Sequence, residues 1–267
     1  MTKVGFIGCG NMAGAIIGGI IKTGAVKPAD IIASDVFEAG LKKAQTIHGI
    51  NIAASNAEVA GQSDLIFLAV KPHQVAEVIK EIAVKVTAKK VVVSIAAGID
   101  LKSMESWFAK KVKLVRIMPN TPALVNAGMT AASPNASVTE EEMERVRALL
   151  GGIGRCEVVP ENLMEAVVAV SGSGPAYVYM FIEALADAAV LEGMPRNLAY
   201  AFAAQTVLGG AKMVLETGLH PGALKDMVCS PSGTTIEAVA VLEERGFRSA
   251  AIEAVRAAAA KSRELGG

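Results

Sequence analysis

The sequence predicts an α/β domain with a doubly wound parallel sheet over residues 1–160, followed by an all-helical domain over residues 161–267. Three observations predict this fold. Short apolar runs alternate with helical stretches through the first part of the chain, and these runs lack the alternation of a half-exposed strand. After about residue 160, helical stretches follow one another with no convincing strand between them.

Five apolar runs are predicted as strands, at 4–7, 31–34, 65–70, 91–95 and 114–118. Each is apolar on both faces, which is typical of strands buried between two layers of helices in a parallel sheet. The helices of this part are predicted at 12–23, 37–48, 73–85, 101–109 and 139–151. The last of these begins at Thr139 and has Glu142 three residues on, which predicts a capping box.

The helices of the second domain are predicted at 162–170, 175–193, 195–217, 221–228, 235–244 and 247–264. The helix at 175–193 is apolar nearly all round, and such a helix has to be buried on most of its sides. A helical domain of this size can hardly bury that surface alone. We therefore expect it to interlock with a second copy in a homo-oligomer.

The charge balance argues against nucleic acid and membrane surfaces as partners. With 26 Lys and Arg against 26 Asp and Glu, the formal net charge is zero, so no attraction to polyanions is expected. The mean hydropathy of +0.43 raises the question of a membrane protein. The most apolar long stretch, 166–191, carries Glu183, Asp187 and a Ser-Gly-Ser-Gly-Pro turn, so we expect no membrane-spanning helix there.

The cysteine and histidine usage predicts a protein of a reducing compartment with no metal site. Cys9, Cys156 and Cys229 are widely spaced and form no pair motif, and the three histidines stand apart. The chain runs from Met1 almost directly into its first apolar run, without a secretory cleavage signal. We therefore expect a cytoplasmic protein.

A glycine-rich loop, Gly8-Cys9-Gly10-Asn11-Met12-Ala13, follows the first strand. In a dinucleotide-binding loop, the first glycine permits the tight turn, the second lets the backbone approach a pyrophosphate, and the small last residue allows close helix packing. Glycines also serve ordinary turns. Because this loop joins the first strand to the first helix, where the free N–H groups of the helix can bind phosphate, we predict a Rossmann-type domain that binds NAD(P).

Asp35 closes the second predicted strand. An acidic residue there accepts the ribose hydroxyls of NAD and repels the 2′-phosphate of NADP, so it favours NADH over NADPH. No Arg follows at 36–38, and Lys42 and Lys43 are predicted on a solvated helix face. The alternative is that Asp35 only caps the following helix.

Three further strand ends are predicted to line the ligand crevice, because the carboxyl ends of parallel strands share one edge of the sheet. These ends are Ala69-Val70-Lys71-Pro72, the segment with Ala96 and Ala97, and Met118-Pro119-Asn120. Lys71 is either an anchor for substrate or cofactor or an exposed lysine at the start of a helix. His73 is interpreted as a helix N-terminal side chain rather than a catalyst.

Two turns of small residues interrupt the helical domain. The turn at 171–175 lacks the preceding glycine and strand of a nucleophile elbow, which excludes a hydrolase of that type. It is interpreted as a break between two helices, with Pro175 in the first turn of the second helix. In the turn at 229–235, Thr234 and Glu237 predict a capping box at a helix start. The hydroxyls near that N-terminus suit a substrate carboxylate, and an ordinary N-cap is the alternative.

The helical part offers no obvious general acid apart from His220, which precedes a proline in a turn. A substrate that arrives already protonated, such as an iminium, needs only a hydroxyl to orient its nitrogen. A ketone reductase would need Lys, His or Tyr in that role.

Taken together, these motifs resemble the Δ1-pyrroline-5-carboxylate reductase family nearly from end to end. The segments that carry the resemblance are FIGCGNMA (6–13), LAVKP (68–72), SIAAGI (94–99), RIMPNTP (116–122), SGSGPAY (171–177), HPGALKDMV (220–228) and, above all, SPSGTT (230–235). The resemblance implies reduction of the cyclic imine 1-pyrroline-5-carboxylate to L-proline with NADPH or NADH, the last step of proline biosynthesis.

The resemblance also implies which residues form the site. Those toward the cofactor are Gly8, Gly10, Asn11, Met12, Ala13, Asp35, Asn56, Ala69, Val70, Lys71, Pro72, Ala96, Ala97, Met118, Pro119 and Asn120. Those that hold the substrate carboxylate are Ser230, Gly233 and Thr234, and Thr235 matches the catalytic threonine that hydrogen-bonds the ring nitrogen. In the family, this turn comes from the partner subunit of an interlocked homodimer, often within a decamer. Many members have a non-acidic residue or an Arg near position 35 and prefer NADPH, and Asp35 departs from that pattern.

Two other functions are compatible with a dinucleotide-binding first domain. A β-hydroxyacid dehydrogenase has a similar G-x-G-x-M opening and a helical second domain, but it requires a catalytic Lys early in that domain, and 175–193 contains none. A non-catalytic NAD-binding protein would bind the cofactor without turnover.

Overall fold

A computed structural model describes residues 2–266, and of residues 265 and 266 the backbone alone. The chain divides into two compact units. The first comprises the residues up to Gly172 together with those from Ala258 onward, and the second is Ser173–Ala257.

The first unit is built on one eight-stranded sheet with the strand order β3-β2-β1-β4-β5-β6-β7-β8. The strands are β1 (Val4–Ile7), β2 (Ile31–Ser34), β3 (Asn51–Ile52), β4 (Leu65–Leu68), β5 (Val91–Ser94), β6 (Lys113–Met118), β7 (Gly128–Pro134) and β8 (Gly154–Val158). Strands β1 to β6 are parallel, and β7 runs antiparallel to β6. The strand order extends in opposite directions on the two sides of β1, which opens a crevice at the carboxyl ends of the strands.

Helices cover both faces of this sheet. They are α1 (Asn11–Lys22), α2 (Glu38–His48), α3 (Asn56–Gln62), α4 (Val75–Ile82), α5 (Leu101–Phe108), α6 (Glu140–Leu150) and the short α7 (Met164–Val167). Successive strand residues enter opposite cores: Phe67 packs in the core with α1 and α6, and Ile66 in the core with α4 and α5. Phe6 and Phe67 stack with their ring centroids 4.7 Å apart. The prediction of a doubly buried parallel sheet is confirmed.

Three strands and one helix of this unit lie outside the predicted set. They are β3, β7, β8 and α3. Strand β7 is made largely of small residues, whose side chains give no apolar run although its interior is buried. The predicted capping box of α6 is confirmed, because Thr139 Oγ1 accepts a bond from Glu142 N (3.3 Å) and Glu142 Oε2 accepts one from Thr139 N (3.0 Å).

The second unit is entirely helical over Ser173–Ala257. Its helices are α8 (Gly174–Leu191), α9 (Arg196–Thr217), α10 (Pro221–Val228), α11 (Thr234–Glu244) and the first part of α12 (Phe247–Gly266). Helices α8 and α9 pack through Ala186, Ala199 and Ala203, and an ion pair joins Asp187 to Arg196. Pro175 lies in the first turn of α8, as predicted.

Large apolar side chains of α8 and α9 remain exposed in the single chain. Met180 is 69% exposed and Phe202 61% exposed. By length and composition alone, the helical stretches Glu161–Leu191 and Arg196–Thr217 could each cross a bilayer, with a mean hydropathy of 1.3. Helix runs on both sides of a break at Ser173, and the two carboxylates within 166–191 leave the mean hydropathy high. Length and composition do not establish a membrane-spanning segment, so the expectation that none lies in 166–191 stays a prediction.

Candidate active site

The glycine-rich loop between β1 and α1 lies at the carboxyl edge of the sheet. Gly8 has a φ of +97°, and a Cβ atom there would lie 2.6 Å from the carbonyl oxygen of Ala69. Its N–H donates to the carbonyl of Ser34 at 2.8 Å. Only glycine fits this conformation and this close approach, so the first position of the loop is fixed by the backbones of β2 and β4.

The N-terminus of α1 is open toward solvent. Its N-cap is Gly10, no side chain caps the helix, and a Cβ atom on Gly10 would meet no other atom within 4 Å. Ala13, by contrast, is buried against the sheet. The uncapped N–H groups and the positive end of the helix dipole therefore face an open space, because position 10 has no side chain to fill it. This space suits a pyrophosphate group.

Asp35 braces the glycine-rich loop. One carboxylate oxygen accepts a bond from Cys9 N at 2.5 Å, and the other accepts one from Phe37 N at 2.7 Å. Helix α2 begins at Glu38 with Phe37 as its N-cap, so Asp35 is not the N-cap of that helix. Burial, with a smaller contribution from Asp35, raises the pKa of the Cys9 thiol to about 12, which keeps the thiol neutral.

Asn56 is held between two polar side chains. It is the first residue of α3, whose N-cap Ser55 accepts a bond from Glu58 N at 3.2 Å. The Ser34 hydroxyl donates to Asn56 Oδ1 at 2.7 Å, and Asn56 Nδ2 donates to Glu81 Oε2 at 2.6 Å. Asn56 thus lies beside the carboxyl end of β2, next in space to the residue that precedes Asp35.

The carboxyl ends of β4 and β5 carry the other predicted cofactor residues. Ala69 and Val70 are half-buried, whereas Lys71 and Pro72 are exposed at a 3-10 turn, Pro72–Gln74, that leads into α4. His73 lies in that turn, which agrees with its interpretation as a helix N-terminal side chain. After β5, Ala96 is buried and Ala97 is exposed.

Asn120 cross-links three segments at the end of β6. Its Nδ2 donates toward the carbonyl oxygen (3.1 Å) and the hydroxyl (3.3 Å) of Ser171, and its Oδ1 accepts a bond from Met129 N at 2.8 Å. Ser171 belongs to a π-helical segment, Val168–Gly172, of a kind that often marks functional sites. A Cβ atom on Gly172 would lie 3.0 Å from Met118 Cε. The amide of Asn120 is therefore used to hold this part of the crevice together.

An ion cluster around buried Arg116, which the sequence does not predict, lies at the same strand. The Arg116 side chain, 9% exposed, pairs with Glu161 at 3.2 Å and with Glu165 at 3.7 Å. Glu161 Oε1 also accepts a bond from Leu101 N at 2.8 Å. The charge of Arg116 within the otherwise apolar run 114–118 indicates such a cluster, but the two carboxylates lie about 45 to 50 residues further along the chain.

The predicted substrate turn lies in the second unit, before α11. Gly233 is the N-cap, in extended conformation, and Thr234 is already the first helical residue, without a side-chain cap. The predicted capping box of Thr234 and Glu237 is therefore wrong, because the helix begins one residue earlier than that box requires. A Cβ atom on Gly233 would lie 2.3 Å from Ser230 Oγ, so this hydroxyl lies beside the N-cap residue of the uncapped helix. Thr235 is half-buried in the first turn.

The sheet topology, the glycine-rich loop and the open N-terminus of α1 define a dinucleotide-dependent oxidoreductase of the Rossmann class. Residues 3–98 match the family model of coenzyme F420-dependent NADP oxidoreductases. Residues 161–265 match the model of pyrroline-5-carboxylate reductase dimerisation. The chain belongs to the pyrroline-5-carboxylate reductase family, as the full-length relatives establish.

The pyrroline-5-carboxylate reductase of Escherichia coli is 55% identical over 266 residues, which cover 98% of each chain. Among solved structures, the enzyme from Coxiella burnetii is 36% identical, with a TM-score of 0.94 over 99% of this chain and 98% of that one. A pyrroline carboxylate reductase from Plasmodium falciparum, solved with NADP bound, is 32% identical, with a TM-score of 0.86 over 100% of this chain and 98% of that one. The resemblance drawn from the sequence motifs is confirmed.

Proposed function

We propose that this chain reduces 1-pyrroline-5-carboxylate to L-proline with a reduced nicotinamide dinucleotide, as the last step of proline biosynthesis in the cytoplasm. The observation that carries the proposal is the turn before α11, where the Ser230 hydroxyl lies beside the N-cap residue of a helix that no side chain caps. Such a site binds a small carboxylate. Family membership supports the same conclusion.

The chain's own residues bind and orient the substrate. The Ser230 hydroxyl and the backbone N–H groups of Gly233 and Thr234 hold the carboxylate, and the Thr235 hydroxyl hydrogen-bonds the ring nitrogen. When bound, the reduced nicotinamide supplies the hydride that the imine carbon accepts. An iminium nitrogen already carries its proton and becomes the amine without an enzymic acid, so positioning provides much of the rate.

The first unit supplies the cofactor site in this proposal. The uncapped N-terminus of α1 holds the pyrophosphate, and Asp35 and Asn56 face the adenosine ribose. The carboxyl ends of β4, β5 and β6 lie toward the nicotinamide. The open space at Gly10 and the tight fit at Gly8 support this arrangement, because the loop leaves room for a phosphate where a larger residue would fill it.

We propose that NADH is preferred over NADPH. The carboxylate of Asp35 is fixed by Cys9 N and Phe37 N at the end of β2, where the adenosine ribose lies in Rossmann domains. Each carboxylate oxygen retains a free lone pair for a ribose hydroxyl. A 2′-phosphate would instead meet a negative charge that two backbone N–H groups hold in place.

We propose that the second units of two copies interlock in a homodimer, which can assemble further into a decamer, and that the turn at 230–235 serves the partner's cofactor site. The match of residues 161–265 to a dimerisation model supports this arrangement. The exposed apolar side chains of α8 and α9, such as Met180 and Phe202, support it as well, because burial in a dimer removes them from water.

The deciding experiment mixes the purified protein with pyrroline-5-carboxylate and either NADH or NADPH, and follows the absorbance of the reduced nicotinamide. We expect oxidation of the cofactor that depends on the imine, and formation of proline. Cofactor binding without oxidation of either dinucleotide would overturn the reductase function and leave a non-catalytic NAD-binding protein.

A further inference from the structure

The carboxylate of Glu81, at the end of α4, contacts the amide of Asn56 and has no part in the function described above. Asn56 Nδ2 donates to Glu81 Oε2 at 2.6 Å, and Asn56 Oδ1 accepts a bond from the Ser34 hydroxyl at 2.7 Å. Ser34 is buried and Asn56 half-buried, whereas Glu81 is exposed. A side chain from the helix after β4 therefore reaches the residue that opens α3.

The two partners of Asn56 differ in what they can specify. A carboxamide has a donor end and an acceptor end, and a half-turn about its last bond exchanges them. The Ser34 hydroxyl can donate or accept, so it tolerates either orientation. A carboxylate only accepts, so Glu81 selects the orientation with Nδ2 toward α4 and Oδ1 toward β2.

In this orientation, one of the two N–H bonds of Asn56 donates to Glu81, and the other has no partner among the described residues. Ser34 directly precedes Asp35 and donates to Oδ1 of this amide, so the amide lies near the end of β2, where Asp35 offers free acceptor positions. A donor beside an acceptor complements the hydroxyls of a ribose, each of which both donates and accepts.

We infer that Glu81 is a positioning residue for the dinucleotide: it fixes the amide of Asn56 so that a donor faces the adenosine ribose. The inference rests on the proposed function in that Asn56 faces the cofactor. Glu81 acts through Asn56 and contacts neither substrate nor the reacting atoms.

The test measures the dissociation constant of NADH by fluorescence titration, together with KM and kcat, in variants of the full-length protein. Glu81→Ala should weaken NADH binding and raise its KM by roughly three- to tenfold with kcat unchanged, the usual effect of one lost hydrogen bond. Glu81→Gln can donate as well as accept, so it no longer selects one orientation of the Asn56 amide, and its effect on NADH binding should lie between wild type and Glu81→Ala. Glu77→Ala is the matched control, because it removes a similarly exposed carboxylate from α4 one turn earlier and should change neither constant.

A double-mutant cycle tests whether Glu81 acts through Asn56. Glu81→Ala combined with Asn56→Ala should bind NADH as Asn56→Ala alone does. Three results would each overturn the inference. The effects of Glu81→Ala and Asn56→Ala could be additive, or Glu77→Ala could weaken NADH binding as much as Glu81→Ala does. In the third case, neither Asn56→Ala nor Glu81→Ala weakens NADH binding. The dissociation constant of NADH is measured without the imine. If the protein binds NADH but does not reduce pyrroline-5-carboxylate, the proposed function is refuted, and the dissociation constants of the variants still test the role of Glu81.

Discussion

Asp35 has two tasks that make its substitution informative. It holds Cys9 N in the glycine-rich loop and Phe37 N after β2, and it offers its remaining lone pairs to the ribose. The position of an acidic residue at the end of the second strand could be predicted from the local pattern. The bond to Cys9 could not, because it joins two loops that come together only when β1 and β2 pair.

Asp35→Ser should shift the cofactor preference toward NADPH. A carboxylate repels a phosphate a few ångströms away by about 1 kcal/mol at the dielectric of water and about 4 kcal/mol at that of a protein surface, so the ratio of kcat/KM for NADPH to that for NADH should rise about fivefold or more. Loss of the bond to Cys9 should also weaken both cofactors somewhat. Steady-state kinetics with each dinucleotide measures the ratio, and an unchanged ratio would mean that Asp35 serves the loop alone.

Thr235→Ala should lower kcat by roughly ten- to a hundredfold while the fold stays intact, because a hydroxyl that orients the reacting nitrogen is lost. Thr235 is half-buried and makes no side-chain cap, so the melting temperature should hardly change. Thr235→Ser retains the hydroxyl and is the control that should keep most of the activity. Kinetics of Thr235→Ala equal to wild type would remove this residue from the mechanism.

Cys9 should make the stability of the protein sensitive to alkaline pH. Burial, and then Asp35, raises the pKa of its thiol from 9.0 to about 12, so the folded protein keeps a proton that the unfolded chain loses first. This contribution is fully present below pH 9.0 and is lost as the pH rises toward about 12. The melting temperature of the wild-type protein should therefore fall more between pH 8 and pH 10.5 than that of Cys9→Ala does. Equal losses would show that the thiol is not protected in the folded state.

Strand β6 shows where a local pattern stops being informative. Its apolar run predicted a buried strand, and the structure confirms the strand, but Arg116 in its middle is buried as well. The carboxylates that neutralise it lie at Glu161 and Glu165, after two further strands and α6. Similarly, β7 was missed because its side chains are small, and its place beside β6 comes from the antiparallel pairing rather than from hydrophobicity.

Arg116→Met should destabilise the first unit by about 3 kcal/mol, because it leaves two carboxylates without the cation that compensates them. The control is Arg145→Met, which breaks an exposed pair with Glu141 on α6 and should cost less than about 0.5 kcal/mol. Unfolding in urea measures both. If the two variants lose the same stability, the cluster does not hold the start of the helical segment against β6.

The many apolar side chains of this neutral chain lie mainly in two parts of the molecule. One is the sheet, whose strands are buried on both faces, and the other is the pair of long helices whose apolar side chains remain exposed in the single chain. The sequence predicted both, since a helix that is apolar all round requires a partner. The match of residues 161–265 to a dimerisation model supports a second copy of the chain as that partner.

Catalysis should depend on that second copy, because in the proposed dimer the turn at 230–235 serves the cofactor site of the other subunit. The double variant Met180→Glu/Phe202→Glu places charges on exposed apolar positions of α8 and α9, whose burial in an interface would cost several kcal/mol each, so sedimentation should show monomers. These monomers should still bind NADH, because the glycine-rich loop is complete within the first unit, but they should not reduce the imine. Val84→Glu, at an apolar position of the first unit that is 86% exposed, is the control and should leave a fully active dimer. A monomer with wild-type turnover would show that one chain holds the whole site.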